Sequence, residues 1–237
     1  MLPAGWWRRE LLEVGSRKAA FARDMAAILA VGFPILFGPL RPSEAAGLLT
    51  ALMALSAAIT SGFRAHQLVR DGLIERYLGA PVSPYRLFLE AVGVQAGLDL
   101  LRILPLLLLL IVRYHPAAPA MATLGLATVF AITFADLCGV LAGVLAPTTG
   151  ETPVFAVVTV LPPLFLAGVF TPQVRLAGER AALAALLPYS HLHQALMASM
   201  GSVSAWPLVD LVRGAIFSSV AWVAVAVLIL RRRLASM

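Results

Sequence analysis

Long apolar runs separated by short polar segments dominate the pattern of this chain. A helix of about 20 apolar residues is long enough to cross the hydrocarbon core of a bilayer. Six runs approach that length, so the pattern predicts an all-α membrane protein with six transmembrane helices, forming one domain over residues 1–237. The predicted spans are residues 25–40, 44–63, 84–112, 120–145, 154–170 and 208–230.

Two segments outside these spans have patterns that favour the membrane surface. Residues 1–22 combine the adjacent Trp6 and Trp7 with apolar and basic residues, which is typical of an N-terminal interfacial helix. Residues 171–207 contain one short apolar run, 181–187, between prolines, histidines and charges. External re-entrant helices fit this second pattern better than a further span does.

The longest polar interruption, residues 64–89, lies between spans two and three. Within it, residues 71–79 predict a short amphipathic helix, whose four large apolar side chains share one face. The side chains of this helix that we assign to docking are Leu73, Ile74, Glu75, Arg76, Tyr77 and Leu78. The residues alone leave two docking surfaces open, the membrane surface and a soluble partner protein.

Basic residues are distributed unevenly about the predicted spans. If the N-terminus is inside, 12 lysines and arginines fall on the cytoplasmic side and 4 on the other side. Because basic loops stay in the cytoplasm, we expect a multi-pass protein of the inner or plasma membrane with both termini cytoplasmic. The net charge of +6 then reflects topology and lipid contact. Nucleic acid is not an expected partner, since the basic residues lack interleaved aromatic side chains.

Charged residues inside the predicted spans are candidates for function, because ionisable groups are costly in a membrane. Asp99 and Arg102 lie three residues apart in span three and share a helix face. Asp136 in span four has no charged partner close in sequence. These three residues fit a structural ion pair, a substrate path or an Asp136–Arg102 pair between helices. For Asp210 and Arg213, at the start of span six, a structural pair near the outer surface is favoured.

The remaining reactive residues form no pattern for catalysis or metal binding. His191 and His193 would lie on different faces of a helix without a nearby Cys, Asp or Glu, so no metal site is predicted. Cys138 lies in an apolar run and is expected to be a small packed residue. The sequence lacks the G-x-x-x-x-G-K-[ST] phosphate-binding loop, so we expect no ATP hydrolysis and no cofactor on this chain.

Three stretches of the chain resemble the type-2 ABC exporter permeases, the membrane subunits related to bacterial drug-resistance and polysaccharide exporters. Residues 23–37 (RDMAAILAVGFPILF) resemble the first span of that family, with its charged entry and internal proline. Residues 70–91 (RDGLIERYLGAPVSPYRLFLEA) resemble its coupling region and the turn into its third span. Residues 161–197 (LPPLFLAGVFTPQVRLAGERAALAALLPYSHLHQALM) resemble the end of its fifth span, with a Gly-x-Phe-x-Pro element, and the short helices that follow.

The resemblance implies a permease subunit that is not itself an enzyme. Two permeases, identical or homologous, would bind two copies of a separate ABC ATPase, which would hold ATP and Mg²⁺. Residues 71–79 would form the coupling helix, and residues 171–197 an outer gate. The cargo would be amphipathic or lipid-like, because few charges lie along the implied path. That substrate path would run through Ser56, Thr60, Phe155, Thr159, Phe165 and Phe170.

Two other classes of function stay open. An ion- or proton-coupled secondary transporter would use Asp99, Arg102 and Asp136 as a relay and would need no ATPase. The lack of a clear internal repeat counts against that class. An intramembrane enzyme acting on lipid would need a dense carboxylate or histidine cluster at one membrane face, and the sequence offers none.

Overall fold

The part of the chain that the computed structural model describes, residues 15–16, 18–71, 84–170, 179–202 and 208–234, is all-helical. The prediction of an all-α protein is therefore confirmed for these residues. Eight helices are delimited within them: α1 (Lys18–Phe37), α2 (Pro42–Arg70), α3 (Pro84–Tyr114), α4 (Ala118–Leu145), α5 (Thr152–Leu166), α6 (Glu179–Ala185), α7 (Pro188–Ser199) and α8 (Leu208–Leu234).

Four stretches of the described residues are long and apolar enough to cross a membrane. They coincide with α1, α2, residues Val92–Tyr114 of α3, and α4, and they contain 20 to 29 residues. At 1.5 Å per residue their lengths are about 30 to 44 Å, which equals or exceeds the ~30 Å hydrocarbon core. Large apolar side chains on their outer faces, such as Val112 at 66% exposed, suit contact with lipid. By length and composition, the chain is a helical membrane protein.

Prolines mark the starts of several helices. Pro at the first turn of a helix is favoured because its fixed backbone angle suits the helix and its missing N–H is not needed there. In α2, the Glu44 side chain also accepts a hydrogen bond from the Arg41 backbone N–H at 3.1 Å. The prolines in first turns are Pro42, Pro84, Pro119, Pro153 and Pro188. The predicted start of span three at residue 84 agrees with the first residue of α3.

The first helix begins earlier than the sequence predicted. Residues 18–22, which we had placed in the interfacial helix, belong to α1, and α1 ends at Phe37 instead of residue 40. Residues 18–25 contain no Gly or Pro, so nothing in the backbone separates them from the apolar residues that follow. At the other end, the helix stops before Gly38 and Pro39, where the chain bends. The remaining residues predicted as interfacial helix lie outside the described part, except residues 15 and 16.

The fifth helix ends at Leu166, four residues before the predicted end of span five. The reason is Gly168, whose φ of 70° lies in the left-handed region that only glycine adopts easily. The N–H of Gly168 donates to the carbonyl of Phe165, and the N–H of Val169 donates to that of Leu164. This paired pattern is a Schellman motif, which terminates a helix.

The second helix continues beyond its apolar part. We had ended span two at residue 63, but α2 extends to Arg70 and is capped at Asp71. The polar residues 64–70 have no helix breaker among them, so the backbone remains helical as the side chains become charged. The docking residues predicted from Leu73 to Leu78 lie outside the described part of the chain.

Helices α2 and α4 form the centre of the fold, and α7 packs against both of them and against α8. All residues of α7 except Ala198 are buried. At 12 residues it is about 18 Å long, too short to cross a bilayer. The remaining long helices surround this centre, with α3 and α5 against α4, and α1 against α3.

Candidate functional site

A buried polar cluster forms where α2, α3 and α4 meet, and Asp99 is its best-connected member. Asp99 lies at the middle of α3 and is 2% exposed. Its carboxylate accepts hydrogen bonds from Thr60 Oγ1 on α2, at 2.9 and 3.0 Å, and from Gln95 Nε2 on α3, at 2.9 Å. Because hydrogen bonds to an ionised acceptor are stronger than neutral ones, Asp99 fixes α2 against α3.

Arg102 completes the charge balance of Asp99 and connects it to the first helix. The two side chains form an ion pair, as their spacing on one helix face predicted. The Arg102 side chain is 14% exposed, and its guanidinium lies 5.2 Å from the centre of the Phe21 ring on α1. A cation over an aromatic face is attracted to it. Arg102 therefore pairs with Asp99 and Phe21, and the alternative pairing with Asp136 does not form.

Asp136 lies at 0% exposure in α4, beside this ion pair. Among the described residues, no hydrogen-bond donor reaches either of its carboxylate oxygens. Asp99 and Ser61 are its polar neighbours, and the charge of Arg102 also acts on it. Asp99 is itself an acceptor, and the Ser61 hydroxyl donates to the carbonyl of Ala58 at 3.2 Å. A buried polar group without a donor is expensive, which makes Asp136 the most unusual side chain of the cluster.

Two glycines of α4 bring Asp136 this close to α2. Gly139 and Gly143 are four residues apart and lie on the face of α4 that meets α2. A Cβ atom at Gly139 would collide with Ser61 Oγ and the Ala58 carbonyl oxygen, and one at Gly143 would collide with the carbonyl oxygen of Gly62. Small residues at this spacing let membrane helices approach backbone to backbone. Since Asp136 lies one turn before Gly139, the same approach places it next to the α3 cluster.

Tyr189 on α7 adds a phenol to the same neighbourhood. The side chain is completely buried, its ring centre lies 5.2 Å from that of Phe134, and Asp136 and Cys138 are its titratable neighbours. Burial raises the pKa of the Tyr189 phenol well above its ordinary value, so the group remains neutral. Within the described residues its hydroxyl has no hydrogen-bond partner.

The two histidines of α7 connect that helix to its neighbours. His191 Nε2 lies 2.9 Å from the Ala185 carbonyl oxygen, and His193 Nε2 lies 3.2 Å from the carbonyl oxygen of Ser43 at the start of α2. Burial lowers the pKa of both imidazoles, so the neutral forms are favoured in the folded protein. Across the described residues, no group of three His, Cys, Asp or Glu side chains is arranged to hold a metal ion.

The six residues of the predicted substrate path fall in different surroundings. On α2, Thr60 is bonded to Asp99, and Ser56 donates to the carbonyl of Met53 at 3.0 Å. Phe155 is half-buried against the core, while Phe165 and Phe170 pack together on the surface, with ring centres 5.0 Å apart. The last member, Thr159, is half-buried on α5 and bonds to its own helix.

Several parts of the cluster escaped the sequence analysis. Gln95, one helical turn before Asp99, and Tyr189, in a segment expected to be external, were not singled out. The pair Gly139–Gly143 carries a recognisable signal, since two glycines four residues apart in an apolar run indicate close helix packing. Asp210 and Arg213, predicted as a structural pair, are both exposed at the start of α8.

Comparison with known proteins identifies no relative of this chain. The chain matches no protein-family model, no curated protein and no solved structure.

Proposed function

We propose that this protein is the membrane-spanning permease subunit of an ATP-binding-cassette exporter, which moves an amphipathic or lipid-like substrate outward. The observation that carries the proposal is the length of α2. Its 29 residues span about 44 Å, some 14 Å more than the hydrocarbon core. This excess length supports a position of the charged last turns of α2, residues 64–70, outside the hydrocarbon core, where residues 71–79, which follow them in the sequence, would bind a soluble partner.

The same layout gives the remaining parts of the proposal. Six spans are completed by α5, which is apolar but only 15 residues long, and by α8, which has 27 residues. The uneven distribution of arginines favours a cytoplasmic position for both termini and for residues 71–79. A separate ATPase binds there through Leu73, Ile74, Tyr77 and Leu78, and supplies ATP and Mg²⁺, while a second permease completes the path.

The test is binding of the ATPase encoded by the neighbouring reading frame. Leu73→Asp and Tyr77→Asp place a charge on the apolar docking face, so each variant should lose co-purification of the ATPase and substrate-stimulated ATP hydrolysis in lipid. The matched control is His115→Asp, at an exposed position in the turn between α3 and α4, on the opposite side of the proposed membrane. If both docking variants retain the ATPase and its stimulation, the proposal is wrong.

Complete burial of Asp136 beside the Asp99–Arg102 pair favours a second candidate, an ion- or proton-coupled secondary transporter. In that case the three charged residues form the ion relay. The two candidates differ in energy source: the secondary transporter moves substrate into proteoliposomes on an ion gradient alone, and Asp136→Asn abolishes the transport. The exporter permease moves nothing without its ATPase and ATP.

A further inference from the structure

The charges of the buried cluster do not balance. Asp99 and Asp136 carry two negative charges when ionised, and Arg102 supplies one positive charge. All three lie in the part of the fold where α2, α3 and α4 meet, and the two carboxylates are 2% and 0% exposed. An unbalanced charge in a low-dielectric interior is strongly unfavourable. One further monovalent positive charge brings the cluster to neutrality.

The two carboxylates differ in their hydrogen-bond donors. Asp99 receives three donors, Thr60, Gln95 and Arg102, whereas neither oxygen of Asp136 meets a donor among the described residues. Asp99 is the carboxylate whose charge acts on Asp136, and two ionised carboxylates repel each other. A contact between two carboxyl groups becomes attractive when one proton lies between them.

We propose that Asp136 and Asp99 form a proton-binding site, in which Asp136 is protonated and donates its hydrogen bond to the ionised Asp99. The proton comes from water and adds one positive charge, so the cluster becomes neutral. Asp99 then accepts from four donors, which uses its two oxygens fully. The site is independent of the ATPase proposed above and would be present in either class of transporter.

A sodium ion is a poorer occupant of this position. Sodium sites in membrane proteins use several oxygens, often backbone carbonyls released where a helix is unwound. Helices α2, α3 and α4 are continuous past Thr60, Asp99 and Asp136, so none of them is unwound at these residues. A proton needs only the two carboxyl groups.

Among the described residues, the charged side chains that act on Asp136 are Asp99 and Arg102. Tyr189 faces it from α7 and Cys138 follows it on α4, and both are neutral when protonated. From α2, the Ser61 hydroxyl approaches it, while the His66 ring lies near the carbonyl of Gly143, two turns along α4. Helix α5 has no titratable side chain, and Asp210 and Arg213 of α8 are exposed.

Infrared spectroscopy of the purified full-length protein in lipid at neutral pH tests the site. A protonated carboxyl group has a carbonyl stretching band that a carboxylate lacks. We expect such a band in the wild-type protein, a shift of the band when aspartate carboxyls carry carbon-13, and its loss in Asp136→Asn. The matched control Asp210→Asn should keep the band, because Asp210 is exposed at the start of α8 and lies outside the cluster.

The infrared test of the proton-binding site does not depend on whether the Asp136→Asn variant folds well. If the wild-type protein at neutral pH shows no acid band that moves with labelled aspartate, the proposal is overturned. It is also overturned if the band survives in Asp136→Asn, or if sodium raises the thermal unfolding midpoint while no acid band exists. Loss of ATPase binding in the docking variants leaves the band unchanged, so the two proposals fail separately.

Discussion

Thr60 Oγ1 lies 2.9 Å from Asp99 Oδ2, and this contact joins α2 to α3 inside the buried polar cluster. The Thr60 hydroxyl also faces the carbonyl oxygens of Ser56 and Ala57, at 3.0 and 2.9 Å. One hydroxyl has a single hydrogen to donate, and an ionised carboxylate is the strongest of these acceptors. Thr60 therefore donates its one hydroxyl hydrogen to Asp99 and not to either carbonyl.

The first prediction follows from this bond. Thr60→Val keeps the side-chain shape but removes the donor, so it should lower the free energy of unfolding by about 1 to 2 kcal/mol. Denaturation of the purified protein in mixed detergent measures the loss. Thr133→Val is the control, because Thr133 on α4 donates to the carbonyl of Val129 on its own helix. Equal effects of the two substitutions would contradict the importance of the bond to Asp99.

The close approach of α2 and α4 leads to a second prediction. Gly139→Ala introduces a Cβ atom that would lie within 2.8 Å of Ala58 Cα and closer still to the Ala58 carbonyl oxygen. Backbone atoms cannot move aside as a flexible side chain can, so we expect a loss of about 1 to 3 kcal/mol in unfolding free energy.

Gly125→Ala is the matched control for that substitution. Gly125 is also in α4, but a Cβ atom there would meet nothing within 4 Å. Alanine favours the helix by up to about 1 kcal/mol over glycine, so this variant should be as stable as the wild type or more so. If Gly139→Ala behaves like Gly125→Ala, the two helices are not packed as closely as the structure indicates.

The positions of the helices were largely readable from the sequence. Hydrophobic runs located α3 and α4 to within two residues at each end, and Pro84 marked the first residue of α3. The predicted end of a helix was wrong where that end depends on backbone conformation instead of hydrophobicity. The left-handed Gly168 stops α5 before its apolar run ends, while the polar residues 64–70 continue α2 because nothing in their backbone breaks the helix.

The buried polar cluster could be predicted from the sequence only in part, for a physical reason. The Asp99–Arg102 pair depends on spacing within one helix, so its formation follows from the sequence. The contacts of Asp99 with Thr60 and Asp136 depend on the rotation and depth of three helices relative to one another, which the spacing within each helix does not determine. The burial of helix α7 could not be predicted for another reason: Ser190, His191 and His193 are polar, but their polar atoms bond to carbonyls of the same chain.

A third prediction concerns pH. Burial lowers the pKa of His191 and His193 in the folded protein, whereas an unfolded histidine titrates near 6.5. Below about 6.5 the unfolded state therefore binds more protons than the folded state, and stability falls as the pH decreases. The thermal unfolding midpoint should drop between pH 7.5 and pH 5.5, and His193→Gln, which still has an N–H to donate to the Ser43 carbonyl, should reduce the drop.

His115→Gln is the control for the pH experiment. His115 is exposed in the turn between α3 and α4, so its replacement should leave the pH dependence of the midpoint as in the wild type. The assignment of the pH dependence to the two histidines of α7 would be contradicted by a wild-type midpoint that is constant over this range. It would also be contradicted if His115→Gln reduced the pH dependence as much as His193→Gln does.

A fourth prediction uses the contact between α7 and α8. A Cβ atom at Gly214 on α8 would lie 2.6 Å from His191 Nε2 and nearer still to Cε1, so Gly214→Ala must displace the imidazole ring. The displaced ring loses its contact with the Ala185 carbonyl, and we expect a lower unfolding midpoint. Gly93→Ala on α3 is the control, because no atom lies within 4 Å of the added methyl group.

The double variant His191→Ala, Gly214→Ala isolates the contact itself. With the ring absent, the methyl group at position 214 no longer meets an obstacle, so the double variant should lose less stability than the sum of the two single losses. Contacting residues commonly show such coupling at about 0.5 to 3 kcal/mol, whereas distant sites add within about 0.5 kcal/mol. Additive losses at these two positions would mean that His191 does not pack on Gly214, and that α7 is held to α8 by other side chains.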